Sequence, residues 1–563
     1  MKFNSLVPVQ VALLASAISG QGKDIRYNVI ASPESPNMSV AVVVDNNTYI
    51  LGASESATLL YSGNAPIAQV GYHYAIVNSA NQIHATEAFS RAPFQGESTE
   101  NEFFNRSLST HQLSSLPQVY KQMPYVNRIE SDLHILNQIP TIQIWGNQTE
   151  IDMLHKEQLQ DLKFKFNVTY YGLNDIQTFE NVKVSLSGRS SRYIPKLSYT
   201  LKLKSKGENS LYGYKNLKLR ALGRDPSYVR ECVSYSTMKS AGILASGFSY
   251  IRVFANQRPV GLYGLIETFQ DPWAANVFAG GDFNYKPGYL YQGQLAGPNQ
   301  SEHIYSDLSY YGENITLYSL GQYKIKTGAG KKEKPDDYRE LQRFTKFISS
   351  ANNKTSVDEW EKHLDTIVFT RAMAIEDLLG FSDAYMTLVN NFYLYNNPKS
   401  PGRYIYIPAD FDTTIGTSLY KMDALLSGNY SQHPGFDIRP LTSKLFSNQI
   451  LLEQYQHVLL RLTQQLINPT IMFPFIDSVV EMINPDIEWD QSLPGVGRSE
   501  KLPLSNTRKF TQSPFAPGIK TNWTSIPLTF DASLNGPTNS TDTESVKGFI
   551  TKKSANVLAF YNK

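Results

Sequence analysis

EDLLGFSDAYMTLVNNFYLYNNPKSPGRYIYIPADFD, residues 376–412, decides how this chain is read. An apolar helical run ends at Leu378-Leu379-Gly380, and Asp383 follows it. Two asparagines, Asn390 and Asn391, precede an aromatic strand, Phe392-Tyr393-Leu394-Tyr395. After a turn, a second strand, Tyr404-Ile405-Tyr406-Ile407, delivers Asp410 and Asp412. Carboxylates and amides are thereby presented beside rigid apolar strands. These are the donor types that a hard divalent cation and a phosphate ligand require. All-oxygen donors suit Mg²⁺ or Mn²⁺ rather than zinc. The chain has no HExxH, no Cys/His cluster and no GxSxG elbow, which argues against the hydrolases built on those motifs.

Upstream, Ser187–Arg192 is a turn rich in backbone donors, and Ser198–Lys204 alternates as a strand. Period two sets Lys202 on the face opposite Leu201 and Leu203, where it is a candidate phosphate-pairing cation. Leu217-Lys218-Leu219-Arg220-Ala221 reads as another strand. Asp225-Pro226-Ser227 then opens a helix expected over Val229–Ser240. Ile251–Phe254 and Gly261–Glu267 read as a hairpin, with Glu267 leaving its last strand.

Downstream of residue 336 helices dominate. Ser356 and Glu359 form a capping box that predicts one long helix through Ile367 and Ala374 to Gly380. Two amphipathic helices are expected over Ser443–Ile467 and Pro469–Ile483, a polar loop over 484–543, and a last helix over Glu544–Phe560. At the other end, residues 25–95 are short strands separated by turn residues, which suggests a β-sandwich-like module.

The chain has 563 residues, 41% hydrophobic and 18% charged, enough for several buried cores and unlike a disordered protein. A net charge of +2 provides no basic excess for nucleic acid. Lys2, the apolar run Val7–Ala17 and the small residues Ala15-Ser16-Ala17 read as a cleaved secretory signal. Eleven sequons agree with that route: Asn37, Asn46, Asn105, Asn147, Asn167, Asn299, Asn314, Asn353, Asn429, Asn522 and Asn539. The single cysteine, Cys232, excludes an intramolecular disulfide and is expected to be a buried structural thiol. The C-terminal LAFYNK lacks the tail of a lipid-anchor signal, so a soluble secreted or non-covalently wall-associated protein is expected.

Four stretches carry a resemblance to a known family. They are SGRSSRYIPKLSYTLKLK (187–204), LRALGRDPSYVRE (219–231), GLYGLIE (261–267), and DLLGFSDAYMTLVNNFYLY followed by YIYIPADFD. Together they resemble the CotH (spore coat protein H) family over roughly 140–560, and the last pair is the most specific. The resemblance implies an α+β fold with an N-terminal β-sandwich-like module followed by an atypical protein-kinase-like, two-lobed domain. The implied divisions are a signal peptide (1–20), the module (21–95), a linker (96–138), a small lobe (139–270) and a large lobe with loop insertions (271–560).

It also implies ATP with Mg or Mn as cofactor. Asp383 matches the acid that orients the acceptor hydroxyl. Asn391, with Asn390 as the alternative, matches the family asparagine that assists the metal and nucleotide. Asp410 and Asp412 match the paired metal-binding acids. Lys202 matches the phosphate-pairing lysine, with Lys196 and Lys204 as alternatives, and Glu267 marks the hinge-like strand end beside the nucleotide. Ser382 and Ala409 stand where the family commonly carries tryptophan, which alters the pocket walls where a purine would stack. The implied function is transfer of phosphate from ATP to Ser or Thr of coat or wall proteins. The alternative is a surface adhesin or invasin that binds host-cell receptors with a degenerate or non-essential kinase site. Either protein is expected to be secreted, at an extracellular, spore or cell surface, with no nucleic-acid partner and no transmembrane segment after signal cleavage.

Overall fold

A computed structural model describes residues 23–188, 190–203, 210–294, 305–320, 323–328, 334–500 and 528–562. The expected signal peptide, Lys204, and the sequons at Asn299 and Asn522 lie outside these residues. The chain divides into two units, Met1–Ser109 and Thr110–Lys563.

The first unit is built of seven strands: β1 (Asp24–Ile30), β2 (Ser39–Val44), β3 (Asn47–Ala53), β4 (Leu60–Pro66), β5 (Tyr72–Val77), β6 (Ile83–Thr86) and β7 (Glu102–Phe103). Their order is β6-β5-β2-β3-β4-β1-β7. β3 pairs with β2 from Asn47 to Leu51 and with β4 at Gly52 and Ala53. Tyr27 and Val29 of β1, Val40 and Val42 of β2 and Tyr74 of β5 fill one core. Asp45 and Asn46 take left-handed φ in the β2–β3 turn, a conformation these residue types tolerate. Buried Arg91 binds Glu87 and, at 3.0 Å, Glu102, whose carboxylate also accepts from Tyr72 and Tyr74. Residues 96–138, expected as a linker, contain β7 in this unit. In the second unit they contain Val119, whose N–H donates to Ser240 O at 2.9 Å.

The second unit begins with a closed barrel of β8 (Thr141–Trp145), β9 (Lys163–Tyr171), β10 (Ile176–Ser187), β11 (Ser198–Lys202), β12 (Asn216–Arg220), β13 (Phe248–Ala255) and β14 (Arg258–Glu267). Its order is β10-β11-β12-β14-β13-β8-β9. Alternate residues such as Val184, Leu201, Leu217 and Leu219 fill the interior. Helix α1 (Gln148–Lys156) follows β8, and α2 (Arg230–Ser240) lies between β12 and β13. Cys232 is fully buried in α2, and burial pushes its thiol up to about 12, so it is a packing residue.

After α3 (Trp273–Phe278) comes an antiparallel sheet of β15 (Leu290–Gly293), β16 (Tyr323–Thr327), β17 (Phe392–Asn396) and β18 (Tyr404–Pro408), in the order β16-β15-β17-β18. The helices are α4 (Arg339–Ser350), α5 (Val357–His363), α6 (Thr366–Leu378), α7 (Tyr385–Leu388), α8 (Met422–Leu426), α9 (Pro440–Leu445), α10 (Gln449–Gln465), α11 (Pro469–Ser492), α12 (Phe530–Leu534) and α13 (Val546–Tyr561). The fold is thus mixed α+β with several sheets. Among the described residues no single helix is long and apolar enough to cross a membrane.

Three helix expectations are corrected, the first being Ser443–Ile467, where α9 ends at Leu445 and α10 starts anew at Gln449, capped by Asn448. The long helix from Ser356 to Gly380 is broken at Leu364, which is extended and bridges to Tyr404. Asp365 then caps a new helix by accepting from Val368 N at 3.0 Å. Helix α11 does not stop at Ile483 but continues to Ser492 through Pro485. Its last turns are tied to the barrel, because Asp486 binds Arg252 of β13 and Asp490 binds Lys196 at 2.6 Å.

Helix α6 ends in a Schellman motif: Phe381 N donates to Glu376 O at 2.9 Å and Gly380 N to Asp377 O at 3.1 Å. Gly380 has φ +59°, and a β-carbon there would lie 2.5 Å from the Phe549 ring. Gly380→Ala is therefore expected to lower stability by about 1–2 kcal/mol from the backbone alone, with the Phe549 contact adding to it. Gly402, also at positive φ but with open space around it, should lose only the backbone part. Urea unfolding of the two variants measures the difference.

Candidate functional site

The β17–β18 hairpin explains why distant residues meet. Phe392 pairs with Pro408, so the residue before β17 and those after β18 share one end of the hairpin. Ala409 N donates to Asn391 O at 2.9 Å across it. Asn391 (φ +56°) and Asp410 (φ +62°) both adopt left-handed backbone there. Asn and Asp are the non-glycine residues that adopt this conformation most readily. Asn391 Nδ2 donates to Asp383 Oδ2 at 3.0 Å and to Asp383 O at 3.2 Å. Asn391 is thus an asparagine bonded to Asp383, and Asn390 N is bound to the neighbouring Ala384 O.

A barrel strand supplies the counter-charges. In β12, Leu217 and Leu219 face the barrel interior, so Lys218 and Arg220 face out. Arg220 Nη2 lies 2.5 Å from Asp410 Oδ1, 3.3 Å from Asp412 Oδ2 and 2.9 Å from Glu231 Oε1. Its Nε donates to Glu231 Oε2 at 3.0 Å. Lys218 Nζ stands 4.0 Å from Asp410 Oδ2. Glu231 arrives on the first turn of α2.

Four carboxylates, Glu231, Asp383, Asp410 and Asp412, thus face Lys218 and Arg220, and the charge of Arg224 also acts on Asp412. Burial would raise Asp410, but Arg220 and Lys218 overcome it and hold the carboxyl at about 2. Burial, together with the charges of Asp412 and Asp410, pushes Asp383 well above the usual carboxylate range. Asp412 is raised by burial and by Asp410. Burial carries Glu231 up to about 7 against the pull of Arg220. With all four carboxylates ionised the cluster would hold one negative charge more than Lys218, Arg220 and Arg224 balance, an excess that a proton or an added cation relieves. All its donors are oxygens, and the Asn391 amide oxygen is on the same edge, so these residues fit Mg²⁺ or Mn²⁺. Among the described residues no group of three or more His, Cys, Asp or Glu side chains is placed to hold a metal ion together, so an ion here would take at most two of these carboxylates. That is compatible with an open site in which one or two carboxylates share the ion with phosphate oxygens.

Lys202 and Glu267 are not part of this cluster. Lys202 is on the same outer face, one strand away, opposite Asn216, and its Nζ donates to Gln270 Oε1 at 2.6 Å. Glu267 pairs with Leu217, an inward position, and its carboxylate binds Arg128 at 3.0 Å. Lys196, the described alternative to Lys202, is occupied by Asp490 and Leu262 O. Ser382 is fully buried and ties its own turn to the 413–419 loop, accepting from Leu419 N at 3.2 Å. Ala409 lies in an apolar cluster with Phe269 and Tyr393, whose rings stack at 4.1 Å.

Lys218, Arg220 and Glu231 were not singled out from the sequence as site residues. The signal for the first two is the LKLR alternation, which puts both on the outward face.

The raised acids make apo stability pH-dependent. A carboxyl whose folded pKa is raised contributes stability that is full below its unfolded value, near 4.3, and lost as pH rises through the folded value. For Glu231 that window runs from about 4.5 to about 7. Asp410 has the opposite sign, contributing above about 3.9 and losing its contribution as pH falls toward 2. The wild-type melting temperature is therefore expected to fall between pH 5 and pH 8, and Glu231→Gln to flatten that fall. Equal slopes in calorimetric scans of the two proteins would contradict the assignment.

Comparison with known proteins gives a family match. A family model described as CotH kinase protein matches residues 184–498, more than half of the chain. Every member of the cluster lies within that range. Spore coat protein homolog 1 of Rhizopus delemar is 24% identical over 476 residues, covering 83% of this chain and 73% of its own length. Invasin CotH3 and Invasin CotH2 of the same organism are 24% and 23% identical, each over 83% of this chain and over 76% and 75% of their own lengths.

Proposed function

The chain belongs to the CotH kinase protein family, and we propose that it is a secreted coat or surface protein whose Asp383–Asp410–Asp412 cluster transfers phosphate from ATP to Ser or Thr of coat or wall proteins. The observation that carries the reading is the convergence of Asp410 and Asp412 on Lys218 and Arg220, with the bonded pair Asp383–Asn391 in the same electrostatic cluster. In this reading the barrel is the small lobe of a two-lobed kinase-like domain and the helical part its large lobe.

Asp410 and Asp412, with the Asn391 amide oxygen, would hold the divalent cation. When bound, that ion would supply positive charge that offsets the charge of the phosphates during transfer. Lys218 and Arg220 would bind the phosphates electrostatically. Lys218 takes the role the sequence assigned to Lys202, because Lys218 stands at the acids. Asp383, kept in place by Asn391, would orient the acceptor hydroxyl and receive its proton. Its high proton affinity suits that step once cationic charge nearby lets it ionise.

Transfer to Ser/Thr peptides and autophosphorylation, read by mass spectrometry with ATP and Mg²⁺ or Mn²⁺, test this proposal. Asp383→Ala is expected to reduce turnover about 100-fold or more. Lys218→Ala should raise the KM for ATP more than Lys202→Ala does. A wild-type protein with neither phosphoryl transfer nor a nucleotide-dependent thermal shift would remove the kinase reading.

A second reading is favoured by the names of the relatives, several of which are invasins. In it the protein is a surface adhesin that contacts a host-cell receptor. None of the nine described sequon asparagines is buried, which is compatible with a glycosylated surface protein. Host-cell adhesion unchanged in Asp383→Ala and Asp410→Ala would support this reading; loss of adhesion in both would tie any such contact to the acidic site.

A further inference from the structure

The outer face of the barrel carries a feature that the acidic cluster does not use. In β9, Phe164 and Phe166 turn toward the core while Lys163 and Lys165 alternate with them and are exposed. Strand register then aligns two rows across four strands. One runs Lys165–Lys183–Lys202–Asn216, and the other Lys163–Ser185–Thr200–Lys218. Directly opposed residues of antiparallel strands share a face, with β-carbons ~5 Å apart. These eight positions hold five lysines and no acid.

Lys324 of β16 adds to the same field. Beyond burial, the charges of Lys183, Lys163 and Lys324 lower the proton affinity of Lys202. Among the described residues none of Lys163, Lys165, Lys183, Lys202 and Lys324 has a carboxylate ion pair, although surface lysines elsewhere in the chain do. Like charges placed directly opposite each other destabilise a sheet. The Lys165–Lys183–Lys202 row therefore works against folding, and the Gln270 side chain that accepts from Lys202 is neutral and does not offset the charge.

The rows also have a direction. The second row ends at Lys218, 4.0 Å from Asp410, and the first ends beside it at Asn216. Four strands span about 14 Å, the length of about four residues of extended chain at ~3.3–3.6 Å each. A narrow, linear, positively charged track that leads to the acidic cluster fits a linear anionic partner with one end at that cluster.

We propose that this lysine track binds an acidic peptide segment, so that acceptor polypeptides carry Asp, Glu or phosphoserine on one side of the modified residue. That the hydroxyl of such a peptide reaches Asp383 rests on the kinase reading; binding of the peptide to the track does not.

The test uses the purified full chain without nucleotide. Fluorescein-labelled ten-residue peptides with a central Ser, flanked on one side by four Glu or by four Lys, are titrated by fluorescence anisotropy over a salt series. The acidic peptide is expected to bind at least tenfold more tightly than the basic one, with affinity falling as salt rises. Lys183→Thr should weaken binding at least threefold and raise the melting temperature, because it relieves the like-charge row. Lys165→Glu/Lys183→Glu should weaken it at least tenfold. Equal binding of the two peptides, or unchanged binding by the double variant, overturns the proposal. Tighter binding of a single-stranded oligonucleotide or a heparin fragment of matched charge also overturns it, by assigning the face to another polyanion. Phosphoryl transfer with no preference for acidic peptides would refute the track and leave the kinase reading standing. Lysine-dependent acidic-peptide binding without any transfer would do the reverse.

Discussion

One guanidinium holds the candidate site together. Arg220 reaches Glu231 on α2 and both acids after β18, so three separately folded pieces of chain meet on a single side chain. Removing one partner of a buried pair commonly costs about 3–5 kcal/mol, because the other charge is left uncompensated. Here the loss would fall on Glu231, which is almost fully buried. The same contact sets the protonation pattern. Arg220, with Lys218, keeps Asp410 ionised, and that charge in turn raises Asp383 and Asp412. The cluster is thus both a joint between the barrel and the helical part and a place where more positive charge would be accommodated.

The scaffold around this joint is made of other buried polar ties. Glu376, held up to about 8 chiefly by burial, accepts from Met386 N at 2.6 Å and connects α6 to α7. Asp377 binds Lys553 of α13 at 2.9 Å and lies 3.1 Å from His433 Nδ1, all three side chains being inaccessible to water. Buried Arg439 donates to Met386 O at 2.7 Å. On the far side of the barrel, the Arg252–Asp486 and Lys196–Asp490 pairs fix the end of α11. Each tie satisfies groups that would be costly to bury alone. The Glu376 and Arg439 contacts restrict the segment between α6 and β17, on which Asp383 and Asn391 sit.

The grouping of the acids that follow α6 and β18 was legible in the sequence, because it is local. Asp383, Asn391, Asp410 and Asp412 lie within about one hairpin, and strand pairing of YIYIP with FYLYN brings their ends together without long-range information. The barrel contribution was less legible. Lys202 and Lys218 lie in strands with the same alternating pattern, and only the sheet order tells which one stands over the acids. Glu267 ends its strand as expected, but register with Leu217 turns its side chain to Arg128. The helix break at Leu364 went unread because a bridge to Tyr404, 40 residues on, competes there with helical periodicity. Continuation of α11 through Pro485 likewise depends on distant partners, Arg252 and Lys196. Local patterns therefore identified the elements and the acids, and tertiary register decided which cations meet them.

The central claim is that these acids form a cation-dependent nucleotide site. Calorimetric titration of ATP into the wild type and Asp410→Asn, with and without Mn²⁺, tests it most directly. The account predicts 1:1 binding that requires Mn²⁺ and is lost in Asp410→Asn. No ATP binding by the wild type, or binding indifferent to both Mn²⁺ and Asp410, would contradict it.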